Sequence, residues 1–388
     1  MVELGYSGTL EVADKIRSMI RDKIEIINFV SGTLRDTPLD VKTMTKKAID
    51  NDLGADLTDS AGLFELRNSI ADNLYLKTKL SYDPHSDLVI TVGAKNAILE
   101  AIQATVSPGE EILLIDPYWP SYKQIIALSG AVPRAVPMGK NNYFDITEKN
   151  IVNNIGPKSR MIIVNTPHNP TGRVFNENEL DLLSHIAKKY SLIILSDESY
   201  RDLVYGNYKH LSIAAFPGMK SRTIIIYSFS KSFSMYGWRV GYAAADREII
   251  GKMIAIQSNT VSCPTTFAQE GCIAALKIEE KHIANIVERY ERLRDMTVKL
   301  MNKICGISCA VPEGAFWVFP DFSKLSCSTI GLADNLLNNY GIAITKGSFF
   351  GDNAQSFFRL IYRHEEPYLK YGLKKLKKAI ESLANLQQ

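Results

Sequence analysis

The sequence predicts an α/β protein built on a wound, largely parallel sheet, and three observations carry that reading. Short runs that are apolar at every position recur through the middle of the chain, as strands buried on both faces require. Longer helical stretches, such as Glu177 to Tyr190, lie between them and supply the crossovers. Polar residues cluster just after the C-terminal ends of the runs, at the edge where open α/β sheets bind ligands.

In chain order, residues 12–22 read as a short amphipathic helix. The strand candidates follow at Leu88 to Val92, Glu111 to Ile115, Met161 to Val164, Leu192 to Leu195 and Thr223 to Tyr227. The polar segments behind them are Gly93-Ala94-Lys95, Asp116-Pro117-Tyr118-Trp119, Asn165 to Gly172, Asp197 to Tyr200, and Ser228 to Lys231. These segments at one rim mark the expected site. From about Ile273 to Lys303 runs one long, charged helical pattern, followed by shorter strands at Phe316 to Phe319 and Gly341 to Thr345. A chain of 388 residues exceeds one compact core and suits two domains. The expected division is an N-terminal arm with part of a small domain over 1–40, a large domain over 41–275, and a linking helix with the rest of the small domain over 276–388.

Composition narrows the function. Apolar residues make up 46% and charged residues 22%, which is ordinary for a globular protein. No apolar run is long enough to cross a bilayer, and Met1 to Tyr6 show no basic stretch leading into an apolar core. A cytoplasmic location without a membrane partner is therefore expected. A net charge of +3, with Lys and Arg spread along the chain, argues against nucleic acid. The basic cluster from Lys370 to Lys378 alternates with apolar residues at helical spacing and reads as the solvated face of a terminal helix. Five cysteines, at 263, 272, 305, 309 and 327, are an odd number and argue against a disulfide framework. They read as small buried or half-buried residues, with no metal site among them.

The decisive stretch is Ser228-Phe229-Ser230-Lys231-Ser232-Phe233-Ser234-Met235-Tyr236-Gly237-Trp238-Arg239-Val240-Gly241. A lysine amine at a strand end can condense with an aldehyde and later shuttle a proton, whereas a purely structural lysine there is costly. The stretch resembles the pyridoxal-phosphate attachment motif of the class I aminotransferases, and further family motifs occur in order from residue 7 to residue 359. The resemblance implies fold type I of the vitamin B6 enzymes. That fold has a large domain with a mostly parallel seven-stranded sheet sandwiched by helices, and a smaller α/β domain built from both termini.

The resemblance also implies pyridoxal 5'-phosphate as cofactor, with Lys231 as its anchor and Ser228, Ser230 and Arg239 as phosphate ligands. Arginine suits a phosphate because its planar fork makes two parallel charged hydrogen bonds. Gly93-Ala94-Lys95, between a strand and a helix, would cradle the same phosphate with backbone N–H groups. Asp197 resembles the aspartate paired with the pyridine nitrogen, and Tyr200 and Asn169 the residues that hydrogen-bond the ring's phenolic oxygen. Trp119 resembles the aromatic residue stacked on the ring. Arg359, in Phe357-Phe358-Arg359-Leu360-Ile361, resembles the clamp on the substrate α-carboxylate, which the Gly32 backbone also approaches. Lys95, Trp119 and Asn169 complete the implied substrate site. His168 is expected to be a loop residue without a catalytic part. A homodimer is expected.

The family acts on aspartate, aromatic, alanine and branched-chain amino acids. Ser7-Gly8-Thr9 and Lys95 resemble the residues that a prokaryotic aspartate subgroup uses for the side-chain carboxylate. The expected reaction therefore moves an amino group from aspartate to 2-oxoglutarate. An aromatic or alanine-type aminotransferase, and a C–S lyase on the same fold, are the alternatives. Three positions depart from the family pattern. Leu57 stands where a tyrosine ordinarily reaches the neighbouring subunit's phosphate, the segment from Ser31 to Pro38 is altered at the substrate entrance, and Lys346 replaces a proline.

Overall fold

Seven runs of extended chain pair into a single sheet in the computed structural model, which describes residues 5, 8–32, 34–139, 143–325 and 328–385. They are β1 (Leu88–Thr91), β2 (Glu111–Asp116), β3 (Val132–Pro137), β4 (Ser159–Asn165), β5 (Ile193–Asp197), β6 (Thr223–Ser228) and β7 (Gly241–Ala244). Their order across the sheet is β1-β7-β6-β5-β4-β2-β3. The pairs from β3 through to β6 are parallel, and β7 runs against both β6 and β1.

The central strands explain the apolar runs. Along β6, Ile224 and Ile226 pack on one side with Ile98, Ile102 and Met253. Ile225 and Tyr227 pack on the other side with Leu66, Ile70 and Cys272. A strand covered on both faces needs an apolar side chain at every position. Two strands gave no such signal in the sequence. The edge strand β3 carries Pro133, Arg134 and Pro137 and is mostly exposed, while β7 is four small or aromatic residues, Gly-Tyr-Ala-Ala.

A second layer holds the two ends of the chain together. Ile27–Asn28 pairs in parallel with Ile342–Ala343, and Phe358–Ile361 lies between Trp317–Val318 and Thr345–Lys346 in an antiparallel sheet. The long helix Glu279–Met301 and the terminal helix Glu366–Asn385 cover these strands. In the terminal helix Leu369, Leu373, Leu376 and Ile380 point into the core, and Lys370, Lys374 and Lys378 are exposed, as their spacing predicts.

The pattern read as one helix from Ile273 to Lys303 is two, Thr266–Lys277 and Glu279–Met301, meeting at Ile278. The first buries Cys272 and Ile273 against the large sheet, and the second buries Ile286, Tyr290 and Leu293 in the second layer. One straight helix could not serve both. The N-terminal helix also starts earlier than its pattern, at Gly8, and ends at Arg21. Of the cysteines, Cys272 and Cys309 are buried and Cys263 is half-buried, but Cys305 is exposed in the turn after the long helix, contrary to the reading of all five. Cys327 lies outside the described residues.

Two-sided burial sets an expected energetic contrast. Ile225→Ala and Ile226→Ala should each destabilise the fold by about 2–5 kcal/mol, because each leaves a cavity in a fully packed layer. Val132→Ala, on the edge strand at 45% exposure, should cost less than about 1 kcal/mol. Chemical-denaturation midpoints of the three variants check the contrast.

Candidate active site

The reversed direction of β7 builds one wall of the site. Gly241 pairs with both Thr91 and Ser228, so Arg239, just ahead of β7, arrives at the rim where β1 and β6 end. Gly93 precedes the helix Ala94–Thr105 with φ +80°, and a methyl group added there would lie 2.6 Å from an Arg239 nitrogen. Backbone conformation and close approach both call for glycine. Free N–H groups at a helix start beside a guanidinium make an anion site. Ser228 and Ser230 complete it. Ser228 Oγ accepts from the Ser230 N–H at 3.3 Å, and the Ser230 hydroxyl is buried with no hydrogen-bond partner among the described residues.

Lys231 follows on the short helix Phe229–Ser232, and its amine faces the cavity. The Nζ lies 4.5 Å from the centre of the Tyr236 ring and 5.5 Å from that of Tyr200. Among the described residues no carboxylate forms an ion pair with it. Burial, then the charges of Arg363 and Arg359, pull its pKa from the usual lysine range down to about 7, against the opposing pull of Asp197.

Asp197 ends β5 and is held from two sides. The Tyr122 hydroxyl donates to Oδ2 at 2.6 Å, and the Ser199 hydroxyl and N–H donate to Oδ1 at 2.6 and 3.1 Å. Burial raises this carboxyl above the usual range, and those hydrogen bonds oppose the rise. Asn165, at the end of β4, donates to the Asp197 carbonyl at 2.8 Å and accepts from the Asn169 N–H at 2.9 Å. Asn169 in turn accepts from Arg359 Nη1 at 2.9 Å, which joins the large sheet to the strand Phe358–Ile361. Arg359 is 7% exposed, sits over the Trp317 and Phe350 rings, and keeps its Nε without a partner among the described residues. Burial lowers its pKa to about 10. A buried guanidinium with spare donors and no carboxylate is prepared for an anionic ligand.

The remaining candidates complete the same cavity of about 1110 Å³. Trp119 is half-buried in its wall, Lys95 extends over the Trp119 ring at 5.2 Å and is exposed, and Tyr200 is buried. Gly32 backs onto Arg363, where a methyl group would come within 2.7 Å of Nε. Gly93 borders the cavity through Arg239 rather than lining it. Six cationic side chains line the cavity, against one carboxylate, Asp197. Lining residues to which the sequence gave no role of their own include Tyr122, Ser199, Tyr236 and Arg363. Arg363 lies two residues past the strand Phe358–Ile361, where an arginine carries no pattern of its own.

Other sequence candidates fall elsewhere. His168 is in the loop after β4 but buried, with Nδ1 2.9 Å from Thr171 Oγ1 and its ring stacked on Phe175, and it does not line the cavity. Lys346 pairs with Asp334 outside it. Ser7 and the side chain of Thr9 lie outside the described residues, although Ala13 of the same helix does line the cavity. Among the described residues there is no cluster of metal-binding side chains and no helix long and apolar enough to cross a membrane.

Comparison with known proteins gives the same direction. The sequence profile of the family described as aminotransferase class I and II matches residues 24–376. A probable aspartate/prephenate aminotransferase of Aquifex aeolicus is 36% identical, over 97% of this chain and 96% of its own. An aromatic-amino-acid aminotransferase of Thermococcus litoralis is 32% identical, over 97% and 99%. The structure of aspartate aminotransferase from Thermus thermophilus with maleate superposes with a TM-score of 0.91 at 28% identity, covering 97% of each chain. With a seven-stranded sheet that gathers the motif residues at one rim and a profile match over nearly its whole length, the chain belongs to the class I and II aminotransferases and has the type I fold of pyridoxal-phosphate enzymes.

Proposed function

We propose that this chain uses pyridoxal 5'-phosphate to move the amino group of a dicarboxylic amino acid, aspartate foremost, to 2-oxoglutarate. The observation that carries the reading is the Lys231 amine, unpaired with any carboxylate among the described residues, in a cavity that also holds Asp197 and the Asn169–Arg359 pair. The cavity fits the cofactor on independent grounds, because the Ser230 hydroxyl is buried without a partner and Gly93 leaves room beside Arg239.

When bound, the cofactor supplies an electron sink for bond breaking at the substrate α-carbon. In this reading the Gly93-Ala94-Lys95 backbone, Ser228, Ser230 and Arg239 hold its phosphate. Asp197, kept in place by Tyr122 and Ser199, holds the proton on the pyridine nitrogen. Tyr200 and Asn169 serve the phenolic oxygen, and Trp119 stacks on the ring. Arg359, with Asn169, Trp119 and Gly32, fixes the substrate α-carboxylate. Lys231, neutral for much of the time near pH 7, takes the α-proton and returns it.

The excess of cations lining the cavity supports a substrate with two acidic groups, as does the name of the Aquifex relative. An aromatic amino acid is the second reading, supported by the Tyr236, Phe316 and Trp317 walls and by the Thermococcus relative. The reading includes a homodimer. Leu39 and Leu57 are each 76% exposed and Leu76 is 69% exposed, and apolar side chains left in water over one stretch of chain favour a second copy. Leu57 brings no hydroxyl to a neighbouring phosphate, so that contact is absent from the proposed dimer.

Two measurements test the reading. Single amino acids added to the loaded protein, without a 2-oxo acid, should convert the cofactor absorbance to that of its amino form, fastest for aspartate or glutamate. Fastest conversion by tyrosine or phenylalanine puts the second reading first. Release of pyruvate and ammonia from cysteine-like substrates means a lyase instead. The second measurement concerns pH. Because condensation with an aldehyde needs a neutral amine, the rate at which the cofactor-free chain takes up pyridoxal phosphate should rise through about pH 7 and then level off. Arg363→Gln removes a cation that disfavours the charged amine, so the midpoint should move upward. Stopped-flow absorbance gives both profiles, and a wild-type midpoint near the ordinary lysine value contradicts the assignment.

A further inference from the structure

We propose that Arg363 is the specificity-determining cation of the cleft and receives the distal acidic group of a dicarboxylic substrate whose α-carboxylate is held by Arg359. The inference rests on the aminotransferase reading and deepens it. Arg359, Ile361 and Arg363 all line the cavity, two residues apart on one face of the chain, so the two guanidiniums share a wall at separate positions. Arg359 rests on Trp317 and Arg363 on the neighbouring Phe316, with the two rings 5.0 Å apart. Arg363 also sits 4.7 Å from the centre of the Tyr236 ring, the same ring that the Lys231 amine approaches at 4.5 Å. The Arg363 guanidinium and the Lys231 amine are therefore no more than about 9 Å apart, within the span of a small substrate.

Arg363 is 5% exposed, yet no carboxylate lies within ion-pair distance of it among the described residues. Its Nη1 donates to Ser234 Oγ at 3.0 Å, the Tyr290 hydroxyl is a second, uncharged partner of the guanidinium, and its Nε has no partner among the described residues. Asp36 contributes a favourable charge from the entrance segment but is engaged by Arg289 at 3.2 Å. Gly32 leaves no room for a side chain beside Arg363 and Thr37 donates to the Ser234 carbonyl at 3.0 Å, so residues of the altered entrance segment lie close to this arginine. Lys95, the other cation considered for a side-chain carboxylate, lines the same cavity above Trp119 but is more exposed than Arg363, so an ion pair there gains less, although partial burial still lowers its pKa. A buried, aromatic-backed guanidinium discriminates more strongly, because a neutral side chain leaves its charge unanswered.

The test compares succinate with butyrate, which has the same chain length and one carboxylate fewer, by calorimetric titration of the pyridoxal-phosphate-loaded protein. Wild-type protein should prefer succinate, and Arg363→Gln should shrink that preference by about 100-fold, with Arg363→Lys intermediate. The ratio of kcat/KM for aspartate to that for alanine should fall in parallel. Equal weakening of both acids overturns the proposal, because Arg363 then serves the shared carboxylate or the fold. An unchanged ratio overturns it as well. A wild-type protein that converts amino acids without preferring succinate removes the role of Arg363 and leaves the aminotransferase reading intact, whereas one that converts no amino acid removes that reading first.

Discussion

Cations gathered around a single buried carboxylate are the constraint on which the cleft depends. Arg359 and Arg363 are nearly buried without a carboxylate partner among the described residues, and the Lys231 amine shares their field. Such charges are costly to remove from water, and among the described residues no carboxylate forms an ion pair with any of the three. Aromatic rings offset part of the cost, since Tyr200, Tyr236, Phe316 and Trp317 each lie against one of these cations. The imbalance also has a chemical consequence, because burial first and then these neighbouring cations bring the lysine amine toward neutrality at physiological pH. Stability given up at the rim is thus tied to reactivity there, as expected where a local rule of folding is broken at a functional site.

Topology makes the concentration of charge possible. Each parallel strand delivers its following loop to the same edge, and the reversal of β7 adds Arg239 from the opposite direction. The second layer contributes Arg359 from the strand Phe358–Ile361 and Arg363 from just beyond its end, and Ile27–Asn28, paired with Ile342–Ala343, leads into the entrance segment. The link from Asp197 through Asn165 and Asn169 to Arg359 couples the two layers by hydrogen bonds at 2.8 to 2.9 Å. Asn169 is thereby placed between the groups proposed to act on the cofactor and those proposed to act on the substrate.

Much of this was legible in the sequence, for physical reasons that also mark where legibility stopped. Strands buried on both faces write themselves as unbroken apolar runs, so β2, β4, β5 and β6 stand out, and the polar residues behind them locate the rim. The exposed edge strand β3 and the short, small-residue β7 leave no such trace. A helical period does not show a change of direction, so the break at Ile278 was invisible. That Lys231, Asp197 and Asn169 would share one cavity was readable because the motifs that carry them follow strands ending at the same rim, and Arg359 was readable through the motif around it. Tyr122 and Arg363 were not, since a tyrosine in a helix and an arginine past a strand each look ordinary until the fold turns them inward. Cys305 shows the converse, a residue type that is usually buried but is left outside by a turn.

The account stands or falls on where the cofactor attaches. Reduction of the loaded protein with borohydride, followed by proteolysis and mass spectrometry of the peptides, fixes that position directly. A single pyridoxyl label, on Lys231, is the expected result. A label on Lys95 or another lysine, or no label after loading, contradicts it.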